Sequence, residues 1–300
     1  MSGRLRDKVA VITGAGRGIG RATALLMAEE GAKVVVNDLG SGTDGAGRLQ
    51  GPADEVVAEI TKLGGTAVAN YDSVVEMKGG EQIIKTAVDN FGRLDILVNN
   101  AGILRDRMIF NMTEEEWDAV ISVHLKGHFN CTKYACMLMR KQRSGRIINF
   151  SSEAGLGNAS QANYSAAKEG IIGFTRTVAR DMGKYGVTCN AVRPRAATRM
   201  TKQMLATQDA SVTNMLPPAS AFTQSQPEDV AVFVAYLASD ETAIINGYDF
   251  IVGGGIISIM SQPRPIETIY KESRWTLDEL SHIVPRTLAA NLVNPSPPRE

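Results

Sequence analysis

Short apolar runs alternate with longer stretches of helical spacing along most of this 300-residue chain. The runs at 8–13 (KVAVIT), 33–38 (KVVVND), 66–70, 94–98, 146–150, 186–192 (GVTCNAV) and 248–252 are rich in valine and isoleucine and read as buried strands. Between them lie helical patterns: RATALLMAEEGA, ADEVVAEITKL opened by Pro52, and 79–91. A further helix is predicted from the capping box Thr113–Glu116 to about Arg143, another from Tyr164 through Met182, and another from Pro227 (PEDVAVFVAYLA). This alternation predicts an α/β fold, a doubly wound sheet of seven parallel strands with helices on both faces, over residues 1–258. Residues 259–300 break the pattern. Prolines 263 and 265 mark a linker, and a capping box at Thr276–Glu279 starts a helix. This part reads as a helical C-terminal extension, not an independent domain.

In such a sheet, ligands bind across the carboxyl ends of the strands. Gly14, Asp38, Asn100, Ser152 and Pro194 all fall at predicted strand ends. The first strand runs into Thr13-Gly14-Ala15-Gly16-Arg17-Gly18-Ile19-Gly20 and then a helix, the order a dinucleotide site of the Rossmann type requires. Glycines let the backbone approach a pyrophosphate, and the helix start offers free N–H groups with a positive dipole. Asp38 lies 18 positions after Gly20, near the offset of about 20 at which an acid meets the adenosine ribose. Its charge opposes a 2′-phosphate and favours NAD over NADP, although Arg17 in the turn pulls the other way. Asn99-Asn100-Ala101-Gly102 ends the fourth strand with small and amide residues that would let a cofactor lie across it.

Ser151 and Ser152 end the fifth strand, and Tyr164 and Lys168 follow at i, i+4 on one helix face. A lysine ammonium beside a phenol lowers its pKa, which fits the tyrosine for general acid/base work. A nearby serine hydroxyl can hold a carbonyl oxygen as charge develops on it.

Composition narrows the partners. The chain is 44% hydrophobic and 21% charged with zero formal net charge and no long basic run, so nucleic acid is not expected. No apolar run approaches the 18 or more residues of a membrane span. The start of the chain lacks a signal-peptide pattern and PSPPRE is no peroxisomal address, so a cytoplasmic location is expected. Three cysteines without a CxxC pair read as reduced thiols. His124 and His128 could be half a zinc site, but no third ligand accompanies them and no metal is expected.

Together, TGxxxGIG, NNAG, a serine before YxxxK and the proline after the sixth strand resemble the short-chain dehydrogenase/reductase family over about residues 5–258. The resemblance implies Tyr164 as general acid/base, Lys168 on the nicotinamide ribose and lowering the tyrosine pKa, and Asn100 positioning the cofactor. It implies Asp72 at the adenine and Thr198 at the carboxamide, with a serine on the substrate oxygen. His124 stands where the family carries a catalytic asparagine. Ser152 is one residue closer to Tyr164 than the family spacing, and counting back would choose Ser151. Ser152 is preferred, because strands keep register and loops absorb deletions. VVVNDLG, VANYDSV, NNAGILRDR, VHLKGHF, SQANYSAAK and TRMT are further similar to the (3R)-hydroxyacyl-CoA dehydrogenase branch of that family, found within peroxisomal multifunctional enzymes and as stand-alone bacterial proteins.

The expected activity is thus NAD-dependent interconversion of a 3-hydroxyacyl-CoA and a 3-oxoacyl-CoA. The alternatives are dehydrogenation of a free steroid or other secondary alcohol, and a non-catalytic NAD-binding subunit. Arg193, Arg195 and Arg199 follow the sixth strand within seven residues, and Arg195 or Arg199 is expected to meet the CoA phosphates at the pocket mouth. Small residues at Ala162, Ala166, Gly170 and Gly173 permit close helix approach, and with the family pattern they predict a homodimer or homotetramer.

Overall fold

The structure is a computed structural model that describes residues 3–47, 51–197 and 225–295. Strands β1 (Val9–Thr13), β2 (Lys33–Asn37), β3 (Thr66–Asn70), β4 (Ile96–Asn99), β5 (Gly145–Phe150), β6 (Val187–Pro194), β7 (Asp249–Gly253) and β8 (Ile256–Ile259) form a sheet in the order β3-β2-β1-β4-β5-β6-β7-β8. The first seven are parallel. The eighth pairs antiparallel with β7, so the expected seven strands gain one more. Gly254 and Gly255, at φ 58° and 80°, make the reversal. That left-handed backbone suits glycine and turns β7 straight back on itself.

Every residue of β1, β4, β5 and β7 is buried, as a parallel sheet covered on both faces requires. Alternate side chains divide between the faces. Ile12, Val36, Val98 and Ile148 pack with α1 (Gly18–Glu29), α2 (Gly51–Lys62) and α7 (Pro227–Ala238). Val11, Val35, Leu97 and Ile147 pack with α3 (Met77–Phe91), α5 (Gly127–Gln142) and α6 (Ala162–Gly183). β1 pairs with β2 on one side and β4 on the other, so the strand order reverses there and opens a crevice at their carboxyl ends.

The single helix expected from Thr113 to about Arg143 is interrupted. Its first part, α4 (Glu114–Ile121), has both bonds of the Thr113/Glu116 capping box. A π-helical turn, Ser122–Lys126, then leads into α5 and carries His124. Such turns recur at functional sites.

The chain divides into two compact units, 1–260 and 261–300. The division falls beyond the boundary expected after residue 258, because β8 and a bond from Met260 N to Asp249 O keep residues 256–260 with the first unit. The second unit contains α8 (Leu277–Ile283), started by the Thr276/Glu279 capping box. Among the described residues no helix is long and apolar enough to cross a membrane.

Candidate active site

The glycine turn is shaped by its neighbours. Gly14 has φ 65°, and a Cβ on Gly20 would lie 2.2 Å from the Gly14 carbonyl oxygen. Only glycine lets the helix start that close. Thr13 Oγ1 accepts from the backbone N–H groups of Asn100 and Ala101 at 3.0 and 3.1 Å. The Asn100 amide donates to the carbonyls of Thr13 and Gly14, both at 3.0 Å. Asn100 and Ala101 therefore fasten the end of β4 to the turn. Helix α1 opens at Gly18 and Ile19 with no side-chain cap from Arg17 and no acid in its first turn. Its orphan N–H groups and dipole suit a pyrophosphate.

Asp38 accepts from Gly16 N at 2.8 Å and from Gly40 N at 2.7 Å, one bond to each carboxylate oxygen. Each oxygen keeps a lone pair for a ribose hydroxyl. Arg17 is half-buried beside this turn in sequence. Asp72 accepts from Asn70 Nδ2 at 2.8 Å, and Asn37 Nδ2 donates to Asn70 Oδ1 at 2.8 Å and Asp72 O at 2.9 Å. Asn37 and Asn70, absent from the sequence reading, thus hold Asp72 beyond β3. The tight glycines, the uncapped helix start and the acid at the end of β2 fit a dinucleotide.

At the end of β5 the two serines do different work. Ser151 is buried and donates to the Lys168 carbonyl at 2.7 Å. Ser152 accepts from Ala154 N at 3.2 Å, capping a short turn over Glu153–Leu156. Tyr164 is buried, and burial pushes its phenol up to about 12. The Ser152 hydroxyl, which favours the phenolate, pulls the other way, and the charge of Asp106 adds to the rise. Lys168 is also buried, and burial brings its amine down to about 7. Its Nζ donates to the Phe150 carbonyl at 2.6 Å and lies 5.4 Å from the Tyr164 ring centroid. The expected lowering of the tyrosine pKa by Lys168 is therefore not the dominant effect. Desolvation acts on both groups, and the lysine is turned to a backbone carbonyl.

His124 is buried edge-on to Tyr164, with ring centroids 5.1 Å apart and planes at 88°. Its Nε2 lies 2.8 Å from Ile103 O and 3.0 Å from Ile103 N, while Nδ1 is buried without a partner. A Cβ on Gly102 would come within 2.5 Å of the imidazole, so Gly102 makes room for the ring. Burial, then the Lys168 charge, lowers the His124 pKa well below 6.5. His128 is brought to about 3, also by burial first. Among the described residues no group of three His, Cys, Asp or Glu could hold a metal.

Sequence reasoning missed Asn163. It is fully buried, donates to the carbonyls of Arg105 and Glu116 at 3.0 Å each, and accepts from Tyr164 N at 2.7 Å. An asparagine just before the tyrosine, in the first turn of a helix, was the available signal. Gln161 adds a bond to Asp106 at 2.8 Å. Arg193 lies within β6 and Arg195 just beyond it. Arg193 is 1% exposed and points inward. Arg195 N donates to Val252 O at 2.8 Å, and its guanidinium forms a two-pronged pair with Glu153. Pro194 closes β6 opposite Val252. Thr198 and Arg199 lie outside the described residues.

This constellation of glycine turn, serine, tyrosine and lysine agrees with a direct comparison. The family model described as short chain dehydrogenase matches residues 8–209. The chain belongs to that family. As a short-chain dehydrogenase it is 50% identical over 288 residues to the peroxisomal multifunctional enzyme type 2 of Drosophila melanogaster, matching 91% of this chain and 46% of the relative. It thus spans less than half of that longer protein. It is 42% identical to the hydroxyacyl-CoA dehydrogenase ChsB1 of Mycobacterium tuberculosis, over 92% of this chain and 85% of that one. Among solved structures, a short chain dehydrogenase from Mycobacterium avium superposes with TM-score 0.81 at 44% identity, covering 95% of each chain. Other relatives carry the names 3-oxoacyl-[acyl-carrier-protein] reductase and putative short-chain type dehydrogenase/reductase.

Proposed function

We propose that this dehydrogenase interconverts 3-hydroxyacyl-CoA and 3-oxoacyl-CoA thioesters with NAD. Tyr164 and Lys168 buried together on α6, with the lysine Nζ 5.4 Å from the phenol ring and Ser152 just past β5, carry the chemistry. The substrate class rests on the names of the similar proteins, which include a hydroxyacyl-CoA dehydrogenase. In this reading Gly14, Gly18, Ile19 and Gly20 hold the pyrophosphate, Asp38 the ribose and Asp72 the adenine end. A nicotinamide held there would supply hydride exchange at the carbon that bears the substrate oxygen. Ser152 Oγ accepts from Ala154 N, and its O–H would donate to that oxygen. Tyr164 takes the hydroxyl proton during oxidation and returns it during reduction. His124 braces the phenol ring from the side.

The test is NADH formation from a panel of 3-hydroxyacyl-CoAs, with NADP and free secondary alcohols in parallel. Turnover of thioesters above the free alcohols is expected. Turnover of free alcohols alone would replace the substrate class, and no turnover of either would leave a binding subunit.

Two further outcomes follow from the geometry. Asp38→Ser should raise the use of NADP relative to NAD, because it removes the charge opposing a 2′-phosphate. A parent enzyme that already prefers NADP would mean that Arg17 dominates. Ser152→Ala should lower kcat far more than Ser151→Ala, by roughly tenfold or more, the scale of a lost donor to a developing oxyanion. Equal losses in steady-state assays would exclude Ser152 as that donor.

The three cysteines are free, which fits a reducing compartment, and the cytoplasm is the proposed location. A homodimer or homotetramer is proposed as well. Ala166 and Gly173 are exposed on α6, and Phe129 and Met137 on α5. Such a face is apolar and admits close helix approach.

A further inference from the structure

The most enclosed large side chain near the site is Arg193, and the chemistry above makes no use of it. A guanidinium keeps its charge at any working pH, so burying it requires partners for all of its edges. It has them. Nε donates to Asp249 Oδ2 at 2.8 Å, Nη2 to Glu169 Oε2 at 2.9 Å, and Nη1 to the Ser152 carbonyl at 2.8 Å. Asp249 is as buried as the arginine, and Arg176 reaches its other oxygen at 3.5 Å. Glu169 is half-exposed and follows Lys168 on α6.

These partners sit on three elements. Asp249 opens β7, Glu169 lies on the helix that carries Tyr164, and Ser152 ends the strand leading into the site. The carbonyl held is that of the serine read above as the donor to the substrate oxygen. The loop offers no slack, since a Cβ on Gly155 would lie 2.9 Å from Glu169 Oε2 and 3.1 Å from Arg193 Nη1. Arg195 fastens the next residue by pairing with Glu153. Two arginines, one residue apart on the outgoing end of β6, thus anchor the Ser152–Glu153 segment.

We propose that Arg193 is a positioning residue. By bonding the Ser152 carbonyl and Glu169 together, its planar fork fixes Ser152 against the helix that carries Tyr164. A lysine would retain charge and lose the fork, which holds three directions at once. The proposal rests on the reading of Ser152 and Tyr164 as the reacting pair.

A double-mutant cycle on kcat tests it, with the most active substrate of the panel and saturating NAD. Arg193→Lys is expected to lower kcat about tenfold or more, while the KM for NAD stays within about twofold. Within Ser152→Ala, Arg193→Lys should cost less than about threefold more, because residues acting as one unit are non-additive. Additive losses, or an Arg193→Lys enzyme with parental kcat, would overturn the role of Arg193. A Ser152→Ala enzyme with parental kcat would instead sink the underlying reading. Should Arg193→Lys fail to fold, Glu169→Gln takes its place, since its side chain is half in solvent. It should lower kcat in the parent and leave Ser152→Ala unchanged, and the reverse pattern excludes the proposal. A crystal structure of either variant with Ser152 Oγ in its parental place against Tyr164 would exclude it without any substrate.

Discussion

Tyr164→Phe is expected to lose roughly 10²–10⁴-fold in kcat, the usual contribution of a general acid/base group, while NAD binds within about threefold of the parent. The reason is a division of labour within the side chain. The ring makes the edge contact with His124 and fills the cluster formed with Ile103, Leu104, Val120, Ala154 and Ala167. Phenylalanine keeps all of that. The hydroxyl alone can exchange the proton. Fluorescence titration with NADH and steady-state kcat separate the two functions. A loss below about threefold would remove Tyr164 from the chemistry. The pH profile gives a second measure. Burial favours the neutral phenol, so proton acceptance improves as pH rises and the oxidation rate should climb with it. The residual rate of the phenylalanine variant should lack that climb.

Acid should unfold the chain well above the pH at which exposed carboxylates titrate, and the cause is the pair of buried histidines. His128 moves from an ordinary 6.5 to about 3 in the folded chain, and His124 moves in the same direction. Above pH 6.5 both are neutral in either state, and their contribution is fully present. Below it the unfolded chain binds protons that the folded chain refuses, so stability falls with pH until the folded value is reached. His128 then costs about 1.4 kcal/mol per pH unit, or about 3 kcal/mol between pH 6.5 and 4.5, out of a total that is commonly 5–15 kcal/mol, and His124 acts in the same direction. Urea unfolding at pH 7.5 and 4.5 measures it. His128→Gln removes one titrating group, so the stability difference between the two pH values should shrink by about that amount. An unchanged difference would mean that His128 is protonated or hydrated in the folded chain.

How far the site could be read from the sequence depended on what each residue touches. The glycine turn, Asp38 and the Tyr164–Lys168 pair were visible because their spacing is local, fixed by one strand, one turn or one helix. The parallel sheet was visible because strands buried on both faces lose their polar alternation. β8 was missed because Gly253–Gly255 look like the end of a strand, and only their backbone angles show that the chain turns back. The burial of Arg193 was not legible, because an arginine in a run of arginines gives no sign of its partners. Its acceptors, Asp249 and Glu169, stand 56 and 24 positions away in sequence. Lys168 was placed on the correct face, but nothing in the order of residues says that the Phe150 carbonyl comes within 2.6 Å.

The π turn at Ser122–Lys126 has a consequence for how this helix can be compared with others. An i→i+5 turn holds one more residue than an α-turn, and one residue is about 100° of rotation. Before the turn, Val120 joins the cluster around Tyr164 and the Glu116 carbonyl receives Asn163. After it, Cys131, Ala135 and Met139 face the sheet alongside α3. The surplus residue is what lets a single rod serve two neighbours in different directions. The length of this rod is therefore not free to drift: a single-codon deletion here would swing one half out of register with the other. Matching it without a gap to an uninterrupted helix aligns one half correctly and pairs the other with residues from the wrong side. His124 sits inside the surplus turn, so its counterpart elsewhere depends on the end from which one counts.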